Sequence, residues 1–153
     1  LGMHRDGVQL IVSGGIRSGA DVAKAMAMGA DAVSIGSAAM IALNCNADMY
    51  PEDYEKLGTA AGYCHHCHTG KCPVGVATQD PELEKRLEPE LAGKRVKNYL
   101  ATLTLELQTL ARANGKSDVR NLEPEDLAAL TVEAAAMARV PLAGTNWIPG
   151  HKL

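Results

Sequence analysis

The feature that most constrains the fold is an alternation of short apolar runs, glycine turns and one helical pattern near the start of the chain. Residues 8–12 and 32–35 are β-prone runs, and a glycine-containing turn follows each of them. Between them, apolar residues recur at helical spacing from a cap at Ser18 or Gly19 to a stop at Gly29. Short buried strands separated by one helix pair in parallel through a crossover connection. The pattern therefore predicts an α/β fold.

We predict three segments in the chain of 153 residues. Residues 1–44 contain two strand–helix units, because a second helical start at residues 38–43 follows the second strand. Residues 45–80 hold all four cysteines and three of the five histidines without sustained periodicity, which predicts a loop held by ligation. Residues 81–153 are predicted to form a helical extension.

The helical extension carries clear start and stop signals. Asp80 and Pro81 are typical of a helix N-terminus, and Gly115 is typical of a helix end. Between them runs an apolar stripe made of Val96, Leu100, Leu103, Leu107 and Leu110. A last helix is predicted to start near Pro124 and to carry Leu127, Leu130, Ala134 and Met137.

Charge and hydropathy exclude several classes of protein. The chain has 15 Lys and Arg against 18 Asp and Glu, a net charge of −3, which disfavours a nucleic-acid binder. No apolar run approaches the roughly 18–20 residues that a membrane span requires. The start of the chain lacks the features of a secretory signal. We therefore expect a cytoplasmic protein without nucleic-acid or membrane partners.

The two glycine turns are candidate phosphate-binding loops. Glycines let backbone amides approach a phosphate, the following helix N-terminus adds partial positive charge, and Arg17 adds a permanently charged donor. The alternative is that both are ordinary turns and that Arg17 is solvated. The candidate residues are Gly14, Gly15, Ile16 and Arg17 in the first loop and Gly36, Ser37 and Ala38 in the second.

The cysteine segment permits three interpretations. Cys64, Cys67 and Cys72 lie within nine residues, and Cys72 is followed by proline, as in ferredoxin cluster motifs. An iron–sulfur cluster suits several cysteines in an irregular loop, with Cys45 as a further thiol. Zinc would accept the same three cysteines with His68 or Cys45. Disulfides or unligated thiols are the third possibility, although four cysteines in this length are few for a disulfide scaffold.

These motifs resemble the glutamate synthase family. Residues 13–22, 29–33 and 35–38 resemble the last two βα units of that family's FMN barrel. Residues 67–80, from the Cys-His-Thr-Gly-Lys-Cys-Pro sequence onward, look like its cluster-binding signature, and the likeness continues through residues 98–100 and 122–127. The resemblance implies the C-terminal fragment of a (β/α)₈ TIM barrel, followed by a cysteine-rich cluster loop and a helical tail.

The resemblance also implies cofactors, partners and a reaction. FMN and a [3Fe-4S] cluster would bind, with the two glycine loops at the FMN phosphate and Cys67 and Cys72 as cluster ligands. The family's barrel forms glutamate from 2-oxoglutarate and ammonia as reduced flavin delivers hydride to iminoglutarate. The cluster relays electrons to FMN from an NAD(P)H-oxidising subunit or ferredoxin, and a glutaminase domain or subunit is a further partner. Catalytic acids and bases would lie upstream, since no residue in this chain is a credible one.

The third ligand departs from the family pattern C-x₅-C-x₄-C. Cys45 follows Ile-Ala-Leu-Asn, close to the family's context, but 21 residues lie between Cys45 and Cys67, so about 16 are inserted. Cys64 falls inside this insertion as an additional thiol. The ligands are therefore Cys45, Cys67 and Cys72, or Cys64 substitutes, or all four together hold a [4Fe-4S] cluster.

Residues 103–111 and 134–145 more narrowly resemble the stand-alone, glutamate synthase-like subunit of methylamine–glutamate N-methyltransferase (N-methylglutamate synthase). That reaction would use methylamine instead of ammonia. A zinc-stapled interaction module and a nucleotide-processing barrel of the IMP dehydrogenase kind are further alternatives, although the latter does not explain the cysteines. Because a (β/α)₈ barrel takes about 250 residues, we expect this chain to be inactive alone.

Overall fold

A computed structural model describes residues 7–150 of the chain, which form an α/β structure made mostly of helices. The sheet has two parallel strands, β1 (Ile11–Ser13) and β2 (Ala32–Ser34), with Ile11 opposite Ala32 and Ser13 opposite Ser34. Helix α1 (Gly19–Ala27) makes the crossover between them. The strand–helix–strand order predicted from the glycine turns is therefore confirmed. The arrangement is compatible with a fragment of a TIM barrel.

Five further helices follow the second strand. They are α2 (Gly36–Ala42), α3 (Pro51–Lys56), α4 (Pro81–Glu84), α5 (Pro89–Ala113) and α6 (Val132–Ala138). Short 3₁₀ turns lie at Cys67–Thr69, Val119–Asn121 and Pro124–Asp126. In residues 7–150, no helix is both long enough and apolar enough to cross a membrane.

The chain divides into two compact units. One unit comprises the described residues up to Ile35 together with those from Thr102 onward, and the other comprises Gly36–Ala101. The first unit has a small core of Ala23, Ala27, Ala111 and Leu122, and a second one of Ala129, Ala135 and Val140. The core of the other unit consists of Tyr54, Cys72 and Val74.

Capping side chains explain where several helices begin. Ser18 caps α1 as predicted: its hydroxyl accepts from the Asp21 amide, and the Asp21 carboxylate accepts in return from the Ser18 amide. Asp80 caps α4, also as predicted, by accepting from the amides of Glu82 and Leu83. Helix α5 ends shortly before Gly115, whose φ of 71° suits the predicted stop.

Three expectations from the sequence are wrong in detail. The first strand is not buried: Ile11 is 67% exposed, because no strand besides β2 covers β1 within residues 7–150. Segment 45–80 is not wholly irregular, since α3 lies inside it.

The third correction concerns the last helix. Pro124 starts only a 3₁₀ turn, and α6 begins after the cap residue Thr131, whose hydroxyl accepts from the Ala134 amide. Leu127 and Leu130, which were predicted to lie in this helix, precede it, and Met137 within it is 87% exposed. The side chain that α6 buries is Ala135 instead.

Candidate functional site

The four cysteines all lie in the unit Gly36–Ala101 and differ in how far they are exposed to solvent. Cys72 is buried, Cys45 and Cys64 are half-buried, and Cys67 is exposed. Each is a free thiol, so none of the four forms a disulfide. No disulfide therefore competes with metal ligation at any of the four sulfurs.

Asn46 links two of these cysteines. Its Oδ1 accepts from the Cys64 amide at 2.8 Å, and its Nδ2 donates to the Cys64 carbonyl at 3.3 Å. The same Nδ2 lies 3.7 Å from the Cys45 sulfur, within range of an N–H···S hydrogen bond. One side-chain amide therefore holds the inserted Cys64 next to Cys45.

Helix α3, which lies inside the inserted segment, supplies the largest buried side chain of this unit. Tyr54 is 1% exposed, packs with Cys72 and Val74, and donates from its hydroxyl to the Ala47 carbonyl at 3.0 Å. Burial, followed by the negative charge of the Cys64 and other thiolates, raises the pKa of Tyr54 to about 12. Tyr54 therefore stays protonated and acts as an apolar wall with a satisfied hydroxyl.

Arg86 fixes the chain directly after Cys72. Its Nη1 donates to the carbonyl of the buried Pro73 at 2.7 Å and to Asp53 Oδ2 at 2.7 Å. Its guanidinium lies 4.1 Å from the centre of the Tyr50 ring, a cation–π contact. Hydrogen bonds from Lys56 and then from Arg86 lower the pKa of Asp53, so the carboxylate stays charged. Arg86 thus ties the Cys72–Pro73 backbone to α3.

The loop around Cys67 is organised by local contacts. The 3₁₀ turn Cys67–Thr69 ends at Gly70, whose φ is 73°, and the Thr78 hydroxyl donates to the Gly70 carbonyl. The rings of His65 and His66 stack with centroids 4.8 Å apart, and no hydrogen bond within the described residues joins either imidazole to a cysteine sulfur.

The four cysteine thiols lie near one another, but they are not arranged around a position that one metal ion could occupy. Burial and then the nearby thiols of Cys67, Cys72 and Cys64 raise the pKa of Cys45. However, no three or more Cys, His, Asp or Glu side chains in residues 7–150 converge closely enough to hold one metal ion. The predicted ligand set is therefore a neighbourhood of four thiols, and the prediction of which of them ligate stays a prediction.

The first glycine loop leaves β1 in a left-handed conformation. Gly14 and Gly15 have φ of 106° and 71°, which residues with a side chain rarely adopt. Both are exposed, and a Cβ on either would meet no atom within 4 Å. Ile16 is buried and anchors the loop, while Arg17 is exposed. The loop backbone is thus open to a ligand.

The N-terminus of α1 is already occupied by carboxylates. Asp21 Oδ2 accepts from the amides of Arg17 at 3.1 Å and Ser18 at 3.2 Å. Glu106 Oε2 accepts from the Gly19 amide at 2.7 Å. Side chains of the protein itself therefore satisfy these helix-end amides, and their contribution to a phosphate site stays a prediction.

The second glycine loop begins α2. Ser13 and Ser34 are paired in the register, so the chain leaves both strands at the same edge of the sheet. Gly36 and Ser37 are exposed at the start of α2, and Ala38 is half-buried. Gly36 falls in the unit Gly36–Ala101, whereas Gly14–Arg17 fall in the other unit. That both loops bind one phosphate remains a prediction.

Comparison with known protein families shows which family this chain belongs to. A family model described as "Conserved region in glutamate synthase" matches residues 2–117. The chain belongs to the glutamate synthase family. The match includes both glycine loops and all four cysteines, so the resemblance inferred from the sequence is confirmed.

Individual glutamate synthase relatives extend this result. The chain is 65% identical over 150 residues to a "Glutamate synthase large subunit-like protein" of Rhizobium meliloti, covering 98% of this chain and 34% of that protein. It is 44% identical over 118 residues to an "Archaeal glutamate synthase [NADPH]" of Methanocaldococcus jannaschii, covering 77% and 20%. A "Ferredoxin-dependent glutamate synthase, chloroplastic" of Oryza sativa is 41% identical over 108 residues, covering 71% and 6%. The chain therefore spans about a third or less of each relative's length.

Several residues of this family member were missed by sequence reasoning. Asn46 and Tyr54 contact the cysteines, while Arg86 and Glu106 contact residues next to the predicted cysteines and next to the first loop, yet none of the four lies in a recognised motif. The sequence carried one indication of the conformation of Asn46, because asparagine is one of the few residues that adopt the left-handed region, and its φ is 63°. Arg86 and Glu106 act across 13 and 87 residues of sequence, which local patterns do not reveal.

Proposed function

We propose that this chain forms part of the FMN and iron–sulfur site of a glutamate synthase-type oxidoreductase that makes glutamate from 2-oxoglutarate and ammonia. The observation that carries the proposal is the group of four free thiols around Cys45, in a chain whose family match spans both the cysteines and the glycine loops. An NAD(P)H-oxidising subunit or ferredoxin as electron donor, and a glutaminase domain or subunit as nitrogen donor, belong to the same proposal.

The family match favours an iron–sulfur cluster over a single zinc ion at the cysteine group. A tetrahedral zinc site gathers its sulfurs around one point, each about 2.3 Å from the metal. A cluster distributes its thiolate ligands over separate iron atoms, so its ligands lie farther apart. Cys45, Cys64, Cys67 and Cys72 are the residues that would hold it.

The backbone after β1 fits an anionic group such as the FMN phosphate. Because Asp21 and Glu106 occupy the amides of Arg17, Ser18 and Gly19, the phosphate would bind earlier, at Gly14, Gly15 and Ile16. The family resemblance also assigns Gly36, Ser37 and Ala38, at the start of α2, to the phosphate. The guanidinium of Arg17 would contribute charge on the solvent side.

The cofactors supply hydride and single-electron transfer when bound, and the residues of this chain determine how they are held. Arg86 and Tyr54 fix the backbone and the apolar wall at Cys72. An apolar wall restricts water near the sulfurs and so affects the reduction potential. The carboxylate of Asp21 ties Arg17, at the end of the glycine loop, to α1.

The test is a cofactor analysis of the complete natural protein that carries this sequence. We expect bound flavin, together with iron and acid-labile sulfide, and bleaching of both chromophores by the physiological reductant under anaerobic conditions. Zinc at one per chain without labile sulfide would contradict the proposal and favour the zinc-stapled interaction module. Serine variants of Cys67 and Cys72 should lose iron while retaining flavin.

A second candidate differs only in the amine substrate. The match to the Rhizobium meliloti "large subunit-like protein" covers 98% of the chain, whereas the archaeal match covers 77%. The tail is thus shared with the large subunit-like relative, as in the predicted resemblance to the subunit that forms N-methylglutamate. Assays of the complete protein with ammonia and with methylamine separate the two: a higher kcat/KM with methylamine favours the second candidate.

A further inference from the structure

Asn46 adopts a backbone conformation that few residues tolerate. Its φ of 63° lies in the left-handed region, where asparagine is one of the few side chains found regularly. Asn46 directly follows Cys45 in the sequence, at the beginning of the inserted segment. Its side chain forms hydrogen bonds across the loop to Cys64.

Asn46 forms three hydrogen bonds to Gly62 and Cys64, which lie near the C-terminal end of the inserted segment. Oδ1 accepts from the Cys64 amide at 2.8 Å, Nδ2 donates to the Cys64 carbonyl at 3.3 Å, and the Asn46 carbonyl accepts from the Gly62 amide at 3.2 Å. Bonding to both backbone groups of one residue fixes its position and its orientation. Cys64 is therefore held although it is 18 residues away in sequence.

The same amide group also reaches the sulfur of Cys45. Nδ2 donates to Cys45 Sγ at 3.7 Å, so Asn46 contacts both cysteines at once. Hydrogen bonds to ligand sulfurs are one of the means by which a protein sets the reduction potential of an iron–sulfur cluster. Cys64 and Cys72 also pack around the buried Tyr54, so Cys64 is joined to the rest of the group from a second side.

We propose that Asn46 is a positioning residue that makes Cys64 a fourth thiolate ligand beside Cys45, Cys67 and Cys72. This inference rests on the proposed iron–sulfur function and specifies the ligands of that site. Three thiolates leave one corner of a cubane without a protein ligand, whereas four thiolates provide one for each iron of a [4Fe-4S] cluster. The insertion then adds a ligand and also the residue that holds it.

The experiment compares four forms of the complete natural protein after anaerobic cluster reconstitution: wild type, Cys64→Ser, Asn46→Gly and Asn44→Gly. Asn44 is the matched control, because it also has a positive φ, 85°, but its Nδ2 donates to the Met49 sulfur at 3.1 Å. Glycine accepts both backbone conformations, so the two glycine variants remove an amide without adding strain. Each form is analysed for iron and sulfide, by EPR in the oxidised and reduced states, and by redox titration.

We expect the wild type to hold about four iron atoms per chain and to be EPR-silent when oxidised. Cys64→Ser should show the oxidised-state signal of a three-iron cluster. Asn46→Gly should bind the fourth iron about 10- to 100-fold more weakly and have a lower reduction potential, as expected on loss of an outer-shell partner. Asn44→Gly should match the wild type in all of these measurements.

Distinct results overturn the ligand assignment and the proposed function. A three-iron wild type whose iron content and spectrum are unchanged in Cys64→Ser overturns the role of Cys64, while the iron–sulfur function stands. Equal behaviour of Asn46→Gly and Asn44→Gly overturns the role of Asn46. A wild type without iron and labile sulfide overturns both the inference and the function on which it rests.

Discussion

Gly19 and Glu106 join α1 to α5 by a hydrogen bond and by direct backbone contact. The Gly19 amide donates to Glu106 Oε2 at 2.7 Å, and a Cβ on Gly19 would lie 2.5 Å from the Leu103 carbonyl oxygen and 2.6 Å from the Leu107 amide nitrogen. The two helices can approach this closely only because residue 19 has no side chain.

The first prediction is that Gly19→Ala destabilises the protein by about 1–3 kcal/mol, the usual cost of overpacking, because backbone atoms of α5 cannot move aside easily. Gly93→Ala is the matched control within α5, where a Cβ would meet no atom within 4 Å. That control should stabilise the protein by about 0.5–1 kcal/mol. Urea unfolding measures both free energies, and equal effects would contradict the contact.

The second prediction concerns pH and the capping box of α1. Hydrogen bonds from the Lys24 side chain and then from the Arg17 amide lower the pKa of Asp21 to about 2, from 3.8. Because the folded-state pKa is depressed, the stabilisation is complete above about pH 4 and is lost as the pH falls through about 2. Asp21→Asn should therefore cost about 1 kcal/mol at neutral pH.

Unfolding midpoints of the wild type and Asp21→Asn at several pH values test this prediction. The difference between them should shrink between pH 4 and pH 2. A difference that stays constant over this range would show that the carboxylate charge is not responsible. Glu82→Gln is a suitable control, because its exposed pair with Lys85 should contribute less than about 0.5 kcal/mol at any pH.

Local sequence signals predicted the turns and helix ends that are formed by residues close together in the sequence. The glycine turns, the Ser18 and Asp80 caps and the stop at Gly115 all act within a few residues, and the structure confirms them. Helix α3 was missed because six residues hold too few apolar positions to show a period. The start of α6 was misplaced because Pro124 also suits a 3₁₀ turn.

The geometry of the candidate site was less predictable than the fold, because long-range contacts build it. Cysteine spacing indicated the thiols, and the glycine turns after the two strands indicated the loops. The hydrogen bond between Gly19 and Glu106 spans 87 residues, and the one between Arg86 and Asp53 spans 33. Neither contact follows from periodicity or composition, since each depends on how elements pack. The contact of Glu106 with the α1 N-terminus was missed for the same reason.

The third prediction is that Arg86→Ala destabilises the Cys72 region by about 2–3 kcal/mol, because Pro73 and Asp53 each lose a hydrogen bond to a charged donor. Arg86→Lys should restore only part of this stability, since lysine lacks the planar group that stacks on Tyr50. Thermal unfolding and iron content of the complete protein measure the two effects. Lys85→Ala, next in sequence and exposed, should change neither quantity appreciably.

The fourth prediction separates backbone strain from cofactor binding at the first glycine loop. Gly15 and Gly58 have nearly equal φ values, 71° and 69°, and a Cβ at either position would meet no atom within 4 Å. Alanine in the left-handed region costs about 1–2 kcal/mol, so both Gly15→Ala and Gly58→Ala should destabilise the protein to a similar extent. Only Gly15 belongs to the proposed phosphate loop.

Gly15→Ala should therefore weaken FMN binding at least about tenfold, because a shifted loop would no longer direct its amides at the phosphate. Gly58→Ala should bind FMN as the wild type does. Flavin fluorescence gives the Kd for each variant, and riboflavin, which lacks the phosphate, should show no difference between the variants. If Gly15→Ala and Gly58→Ala bind FMN equally well, the phosphate does not contact this loop. If riboflavin binding falls in parallel with FMN binding, the substitution acts through the flavin ring or through general loss of structure.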